Sequence, residues 1–214
     1  NLLTLLSHCF LLDGKLEAAK LYFDKARKIA PNSATVGWNA SRIALIEKKT
    51  SQALDIARYT NQRFPDDVEG MGILGVCLRA AGEISESITV LTQTIELNPN
   101  NAEALINRGL IFLNKGKKTE ALADLEKGHK LKPHVEGIWD FVIGLKIQAE
   151  QYSDAIPFLI NMIEINPNHE KTYSLLIACN QKAKDAALAV KSFEKALEVK
   201  PGNALMHVNL GLAL

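Results

Sequence analysis

The fold is decided by residues 68–101, VEGMGILGVCLRAAGEISESITVLTQTIELNPNN. Apolar side chains recur there at three- and four-residue steps, first through Met71, Leu74 and Leu78, then through Ile84, Ile88, Leu91 and Ile95. That spacing belongs to amphipathic helices. Gly82 falls between the two runs where a tight turn is needed, and Pro99 ends the second because proline cannot continue a helix. The segment therefore reads as helix A, turn, helix B and a Pro-closed loop.

The same unit recurs outward in both directions. Six of the seven prolines, Pro31, Pro65, Pro99, Pro133, Pro167 and Pro201, are each 34 residues apart. Twelve residues before them stands a small side chain: Ala19, Ala53, Ser87, Ala121, Ala155 and Ala189. Eight before them the column is mostly bulky, with Phe23, Leu91, Leu125, Leu159 and Phe193. Small residues let helices approach and bulky ones fill the space between. The expected architecture is all-α, an α-solenoid of antiparallel helix pairs. It forms a single array over 1–214, with repeats 1–33, 34–67, 68–101, 102–135, 136–169 and 170–203 and a partial one at 204–214. Helices this short are marginal alone, so each relies on its neighbours. The last stretch, ALMHVNLGLAL (204–214), is a helix A without a helix B, which suggests a longer chain or end-to-end association through that helix.

In these columns the sequence resembles the tetratricopeptide repeats, a resemblance that implies a right-handed superhelix. The family's aromatic, Leu-Gly, small, bulky and Pro positions are followed by Met71, Leu74, Gly75, Leu78, Gly82, Ser87, Leu91, Thr94 and Pro99, with Trp139 and Tyr173 at the aromatic position of later repeats. Repeats 136–169 and 170–203 depart from it. Ile143 and Ile177 replace a small residue, and the neighbouring Gly144 and Ala178 suggest shifted packing.

Composition narrows the function. Lys+Arg 25 against Asp+Glu 24 lacks the basic excess of a nucleic-acid binder. No apolar stretch is long enough for membrane insertion and no signal peptide is visible, so a cytoplasmic location is expected. Cys9, Cys77 and Cys179 occupy one column two and three periods apart, too far for disulfides. They read as free, buried thiols. Gly70, Gly72 and Gly75 spell G-x-G-x-x-G, but a loop precedes them rather than the strand a dinucleotide fingerprint needs. His129 and His134 flank one helix end, yet lack further ligands, and surface histidines explain them better. The Asn39-Ala40-Ser41 sequon lies mid-helix, and Pro157, out of register, falls near a helix start. With no catalytic motif in view, neither enzyme activity nor a cofactor is expected.

The resemblance places a partner-binding groove along the A helices. Its positions map to Asn39, Ile73, Asn107 and Phe141; to His8, Arg42, Val76 and Leu110; and to Leu11, Leu45, Arg79 and Leu113, with Trp38 and Asn114 alongside. Asn side chains there would bond a peptide backbone, and Arg42 and Arg79 would take a carboxylate. The apolar members either receive partner side chains or pack between repeats. Trp38 either faces the groove or fills the aromatic position left vacant by Gly37. The family's clamp for chaperone tails is absent, because its positions hold Thr4 or Trp38 and His8 or Arg42. The expected function is a non-catalytic scaffold binding an extended peptide or helix of a protein partner. The alternative is a substrate-presenting or regulatory arm of a larger enzyme such as a glycosyltransferase.

Overall fold

The computed structural model describes residues 2–132 and 137–214. Among them are thirteen helices and no strand. The chain forms two compact units, 1–132 and 133–214. The first holds α1 (Leu2–Leu12), α2 (Leu16–Ile29), α3 (Ala34–Ile46), α4 (Thr50–Arg63), α5 (Val68–Ala80), α6 (Ile84–Leu97), α7 (Ala102–Asn114) and α8 (Lys118–Leu131). The second holds α9 (Ile138–Gln148), α10 (Tyr152–Ile165), α11 (Glu170–Ala183), α12 (Ala186–Val199) and α13 (Ala204–Ala213). The expected pairs are all there, a stack of antiparallel helix pairs in each unit.

The sequence columns are packing contacts in the first unit. Ala19, Ala53, Ser87 and Ala121 are fully buried, as are Leu91 and Leu125. Gly75 and Gly109 on the A helices receive those leucines. A Cβ at Gly75 would stand 2.5 Å from Leu91 Cδ2, and one at Gly109 would stand 2.8 Å from Leu125 Cγ. The G-x-G-x-x-G residues are thus buried inside α5, with no strand before them. Ser87 Oγ donates to the Gly75 carbonyl at 2.7 Å, and at the same two positions of the first repeat the direction reverses, with Ser7 Oγ donating to Ala19 O at 2.9 Å.

The helix starts use a column that the period alone does not expose. Ser33, Asp67 and Asn101 each precede an A helix, and each side chain accepts from the backbone N–H three residues on. Asp185 and Asn203 do the same for α12 and α13. These caps satisfy N–H groups that a helix start otherwise leaves unpaired.

The turn between helices of a pair needs a left-handed residue, and glycine supplies it at Gly14, Gly82 and Gly116. The same column holds Lys48, Glu150 and Lys184, at φ of 61°, 58° and 55°. A Cβ makes that conformation unfavourable by about 1–2 kcal/mol, partly offset by the entropy glycine loses on folding. Lys48→Gly is therefore expected to stabilise the fold by about 1 kcal/mol, read as a higher urea midpoint, and Gly82→Lys to lower it.

In the second unit, the core gathers Trp139, Ile143, Leu159, Ile163, Tyr173, Leu176 and Phe193. Ile143 is buried, but the small-residue register does not shift to Gly144, where an added Cβ would meet nothing within 4 Å. α11 and α12 approach one another less closely than the pairs of the first unit, and Ile177 is partly buried against the core. α10 runs on through the exposed Pro157.

Two expectations about reactive side chains change. Cys77 and Cys179 are buried, and burial pushes the Cys77 thiol up to about 12. Cys9, in the same column, is exposed. His129 is buried rather than on the surface, and His134 lies outside the described residues. Among the described residues no three His, Cys, Asp or Glu side chains group as metal ligands, and no helix is long and apolar enough to cross a membrane.

Candidate functional site

The A helices α1, α3, α5 and α7 of the first unit line one face. Two helices separated by a third stand on the order of 20 Å apart when neighbours are 8–10 Å apart. Arg42 on α3 nevertheless reaches Glu103 at the start of α7, past the intervening α5. Its Nη1 donates to Oε1 at 2.9 Å and its Nη2 to Oε2 at 2.6 Å. Such a reach places this face on the inside of the curve of the stack. The pair is bidentate and about three-quarters shielded from water, a geometry in which charge-assisted bonds are strong.

The pair continues into a polar chain. Asn107 Nδ2 donates to the Glu103 carbonyl at 2.8 Å, while Asn107 Oδ1 accepts from Arg79 Nε at 2.9 Å. Arg79 is half buried, and burial draws its pKa below the ordinary arginine value. Among the described residues no carboxylate lies within ion-pair distance of it. Its guanidinium edge is fixed at one nitrogen by Asn107.

Beside Arg42 lies a recess of about 170 Å³ lined by His8, Leu11, Leu12, Leu45, Ile46, Ile73 and Val76, with Arg42 and Glu103 as its polar wall. Burial lowers the His8 pKa, and the Arg42 charge lowers it further. The unfolded chain therefore takes up this proton more readily than the folded one. The stability contributed by neutral His8 is complete above the usual value of 6.5 and declines as pH falls through its lowered value.

The residues singled out in the sequence divide into three groups. Arg42 and Val76 border the recess, and Arg79 joins them through Asn107. Asn39 and Asn107 lie on this face but are buried, and Asn39 Nδ2 donates to the Thr4 carbonyl at 2.8 Å. Their amides tie neighbouring helices together instead of standing open as peptide-backbone hooks, and burial also removes Asn39 from any role as a glycosylation acceptor in the folded chain. Leu110 is half exposed, Asn114 is exposed, and Phe141 is exposed in the second unit; none of the three borders the recess.

Trp38 is on neither the groove nor the vacant aromatic position. It is 4% exposed and its indole lies over Gly70 of the next repeat, where a Cβ would come within 2.0 Å of the ring. Its Nε1 donates to Asp67 Oδ2 at 2.9 Å, and Asp67 Oδ1 accepts from Gly70 N–H at 3.1 Å. One carboxylate thus caps α5 and holds the indole. Leu12 and Ile46 of the recess escape sequence reading because they stand at helix ends outside the groove columns. The Arg42–Glu103 pairing escapes because it depends on curvature.

Family models described as tetratricopeptide repeat match residues 1–33 and 102–134, and one described as TPR repeat matches 77–116. The BBSome complex member BBS4 homolog of Drosophila melanogaster is 24% identical over 97% of this chain and 44% of its own length, so the chain spans less than half of that relative. The solved structure reported as the functional characterization of Pseudomonas aeruginosa pilF is similar with a TM-score of 0.66 at 18% identity, covering 98% of this chain and 96% of that one. YrrB, described as a TPR protein with an unusual peptide-binding site, is similar with a TM-score of 0.50 at 21% identity, covering 78% of this chain and 87% of its own. A 34-residue period, its pairs of helices and these likenesses converge on one reading: the chain is built of repeats of the tetratricopeptide type.

Proposed function

We propose that the inner face of the first unit is a protein-interaction site that holds an extended peptide segment of a partner, so that the chain works by binding and not by turnover. The observation that carries this reading is the apolar recess at Val76 with Arg79 beside it, a half-buried guanidinium lacking a carboxylate. An aliphatic partner side chain gains from entering the recess. A partner carboxylate or backbone carbonyl would complete the guanidinium's hydrogen bonding. Arg42 has a smaller part than its exposure to the groove suggests, since Glu103 already occupies both of its donor positions. Its role is to shape the recess wall. The likeness to a repeat protein described as having a peptide-binding site supports the same reading.

The test is selection of binders from a phage-displayed peptide library on the intact chain, followed by titration of the selected peptides. Val76→Arg, which fills the recess mouth, and Arg79→Ala are each expected to weaken binding by about tenfold or more, as removing a central contact does. The urea midpoint should remain close to that of the parent for Val76→Arg. Peptides that bind both variants as well as the parent would place the site elsewhere.

A further inference from the structure

A second recess, of about 220 Å³, opens between α2 and α4 and shares no lining residue with the one at Arg42. Its origin lies in one column of the repeat. The position that holds Met71, Leu105, Trp139 and Tyr173 in other repeats holds Gly37 here. Gly37 lets α3 press against α4, since a Cβ there would stand 2.3 Å from Thr60 Oγ1. The neighbouring Trp38 does not restore the missing bulk, because it turns into the next repeat and packs over Gly70. The repeat is therefore short of one large side chain, and the recess opens beside the Gly37–Thr60 contact, both residues being part of its lining.

The walls select what would fill it. Phe23, Ile56, Tyr59 and Phe64 line it with apolar and aromatic surface. The charged residues on its lining are Arg27 and Arg63, and no acidic residue is among them. The Arg63 guanidinium lies 5.6 Å from the Tyr59 ring centroid and 6.0 Å from that of Phe64, and its Nη1 donates to Tyr59 Oη at 2.8 Å. The Tyr59 hydroxyl takes one of its N–H groups and leaves the others for an anion. Among the described residues no carboxylate is within ion-pair distance of Arg63. Arg27 lies over the Phe23 ring at 5.5 Å and touches Asp24 through one exposed contact at 3.2 Å, an interaction of little strength.

We propose that this recess docks a partner peptide segment carrying one aromatic side chain flanked by carboxylates. The aromatic ring enters against Phe23, Tyr59 and Phe64, where offset and edge contacts between rings add to burial. The flanking carboxylates bond Arg27 and Arg63 at the rim. The site is separate from the inner face and its occupancy is independent of that one.

The probe is a fluorescein-labelled peptide with one phenylalanine between two pairs of glutamates, titrated onto the intact chain by fluorescence anisotropy. Saturable binding is expected, weakened by about tenfold or more in the double variant Arg27→Glu/Arg63→Glu. Both arginines are exposed, so this variant keeps the fold, which circular dichroism checks. The peptide is also varied on its own: alanine for phenylalanine, and glutamine for each glutamate, are each expected to weaken binding by a similar factor. Amide shifts in the NMR spectrum should concentrate on Val36, Gly37 and Ala40 and leave Val76 and Arg79 unmoved. The proposal is overturned if the peptide does not bind, if the double variant binds it equally, or if the shifts fall at Val76. It is equally overturned if sedimentation shows that the recess is closed by a second copy of the chain that the double variant releases.

Discussion

Trp38→Ala is expected to cost about 3–5 kcal/mol of stability, the range for truncating a buried aromatic side chain. The indole is 4% exposed and belongs to the core with Ala53, Leu54, Ile73 and Leu74. Its removal opens a cavity over Gly70 that cannot collapse, because Gly70 has no side chain to move into it. It also takes the Nε1 donor from Asp67, whose carboxylate must then cap α5 without it. The change should be read as a lower urea midpoint together with faster amide exchange in α3 and α5. A groove role for Trp38 makes the opposite demand, weakened partner binding at unchanged stability. An unfolding midpoint within error of the parent would therefore remove Trp38 from the core and restore it to the binding face.

The second large effect belongs to Asp124. Arg108 on α7 grips both carboxylate oxygens, with Nε on Oδ2 at 2.7 Å and Nη2 on Oδ1 at 2.8 Å, while Nη1 reaches Thr92 Oγ1 on α6 at 3.1 Å. Asp124 is buried, and its hydrogen bonding to the guanidinium, aided by its charge, holds the Arg108 pKa above the ordinary value. Removing the acid leaves a largely buried guanidinium without its counter-charge, which costs about 3–5 kcal/mol in a dry site. The Arg108 side chain retains 18% exposure, so water relieves part of the loss and about 3 kcal/mol is expected for Asp124→Ala. The double change Asp124→Leu/Arg108→Met should recover most of it, since apolar packing replaces a buried pair at little net cost. If the double variant were as unstable as the single one, the pair would be holding the helices by more than the balance of charge and burial.

These two residues mark the boundary of what the sequence discloses. The period, the helix pairing and the small and bulky columns are all local regularities, and a 34-residue count reveals them. Ala19 and Leu91 are buried for the reason their columns suggest. The capping residues Ser33, Asp67 and Asn101 could have been read as well, since a short polar side chain preceding an apolar run is a helix start signal. The site was legible only in part. Arg42, Val76 and Arg79 fall on the face proposed for binding, but whether an arginine is free or occupied depends on a partner 61 residues away in one case and 28 in the other. Trp38 was ambiguous because a one-residue step on a helix turns a side chain by about 100°, and only the space above Gly70 decides where it goes. The left-handed lysines and glutamate at 48, 184 and 150 were hidden for a related reason: the turn is imposed by the helices on either side of it, and their packing tolerates the strain.

The ion pair between Arg42 and Glu103 bears on mechanics as well as on recognition. A repeat stack in which each unit touches only its neighbours bends like a chain of independent hinges. A bond that skips a repeat acts as a stay across the inside of the bend. Straightening the first unit must stretch or break it, so the three repeats it spans flex together as a single leaf spring. Because the tie is electrostatic and partly open to solvent, the spring is stiffest at low ionic strength and softens as salt screens it.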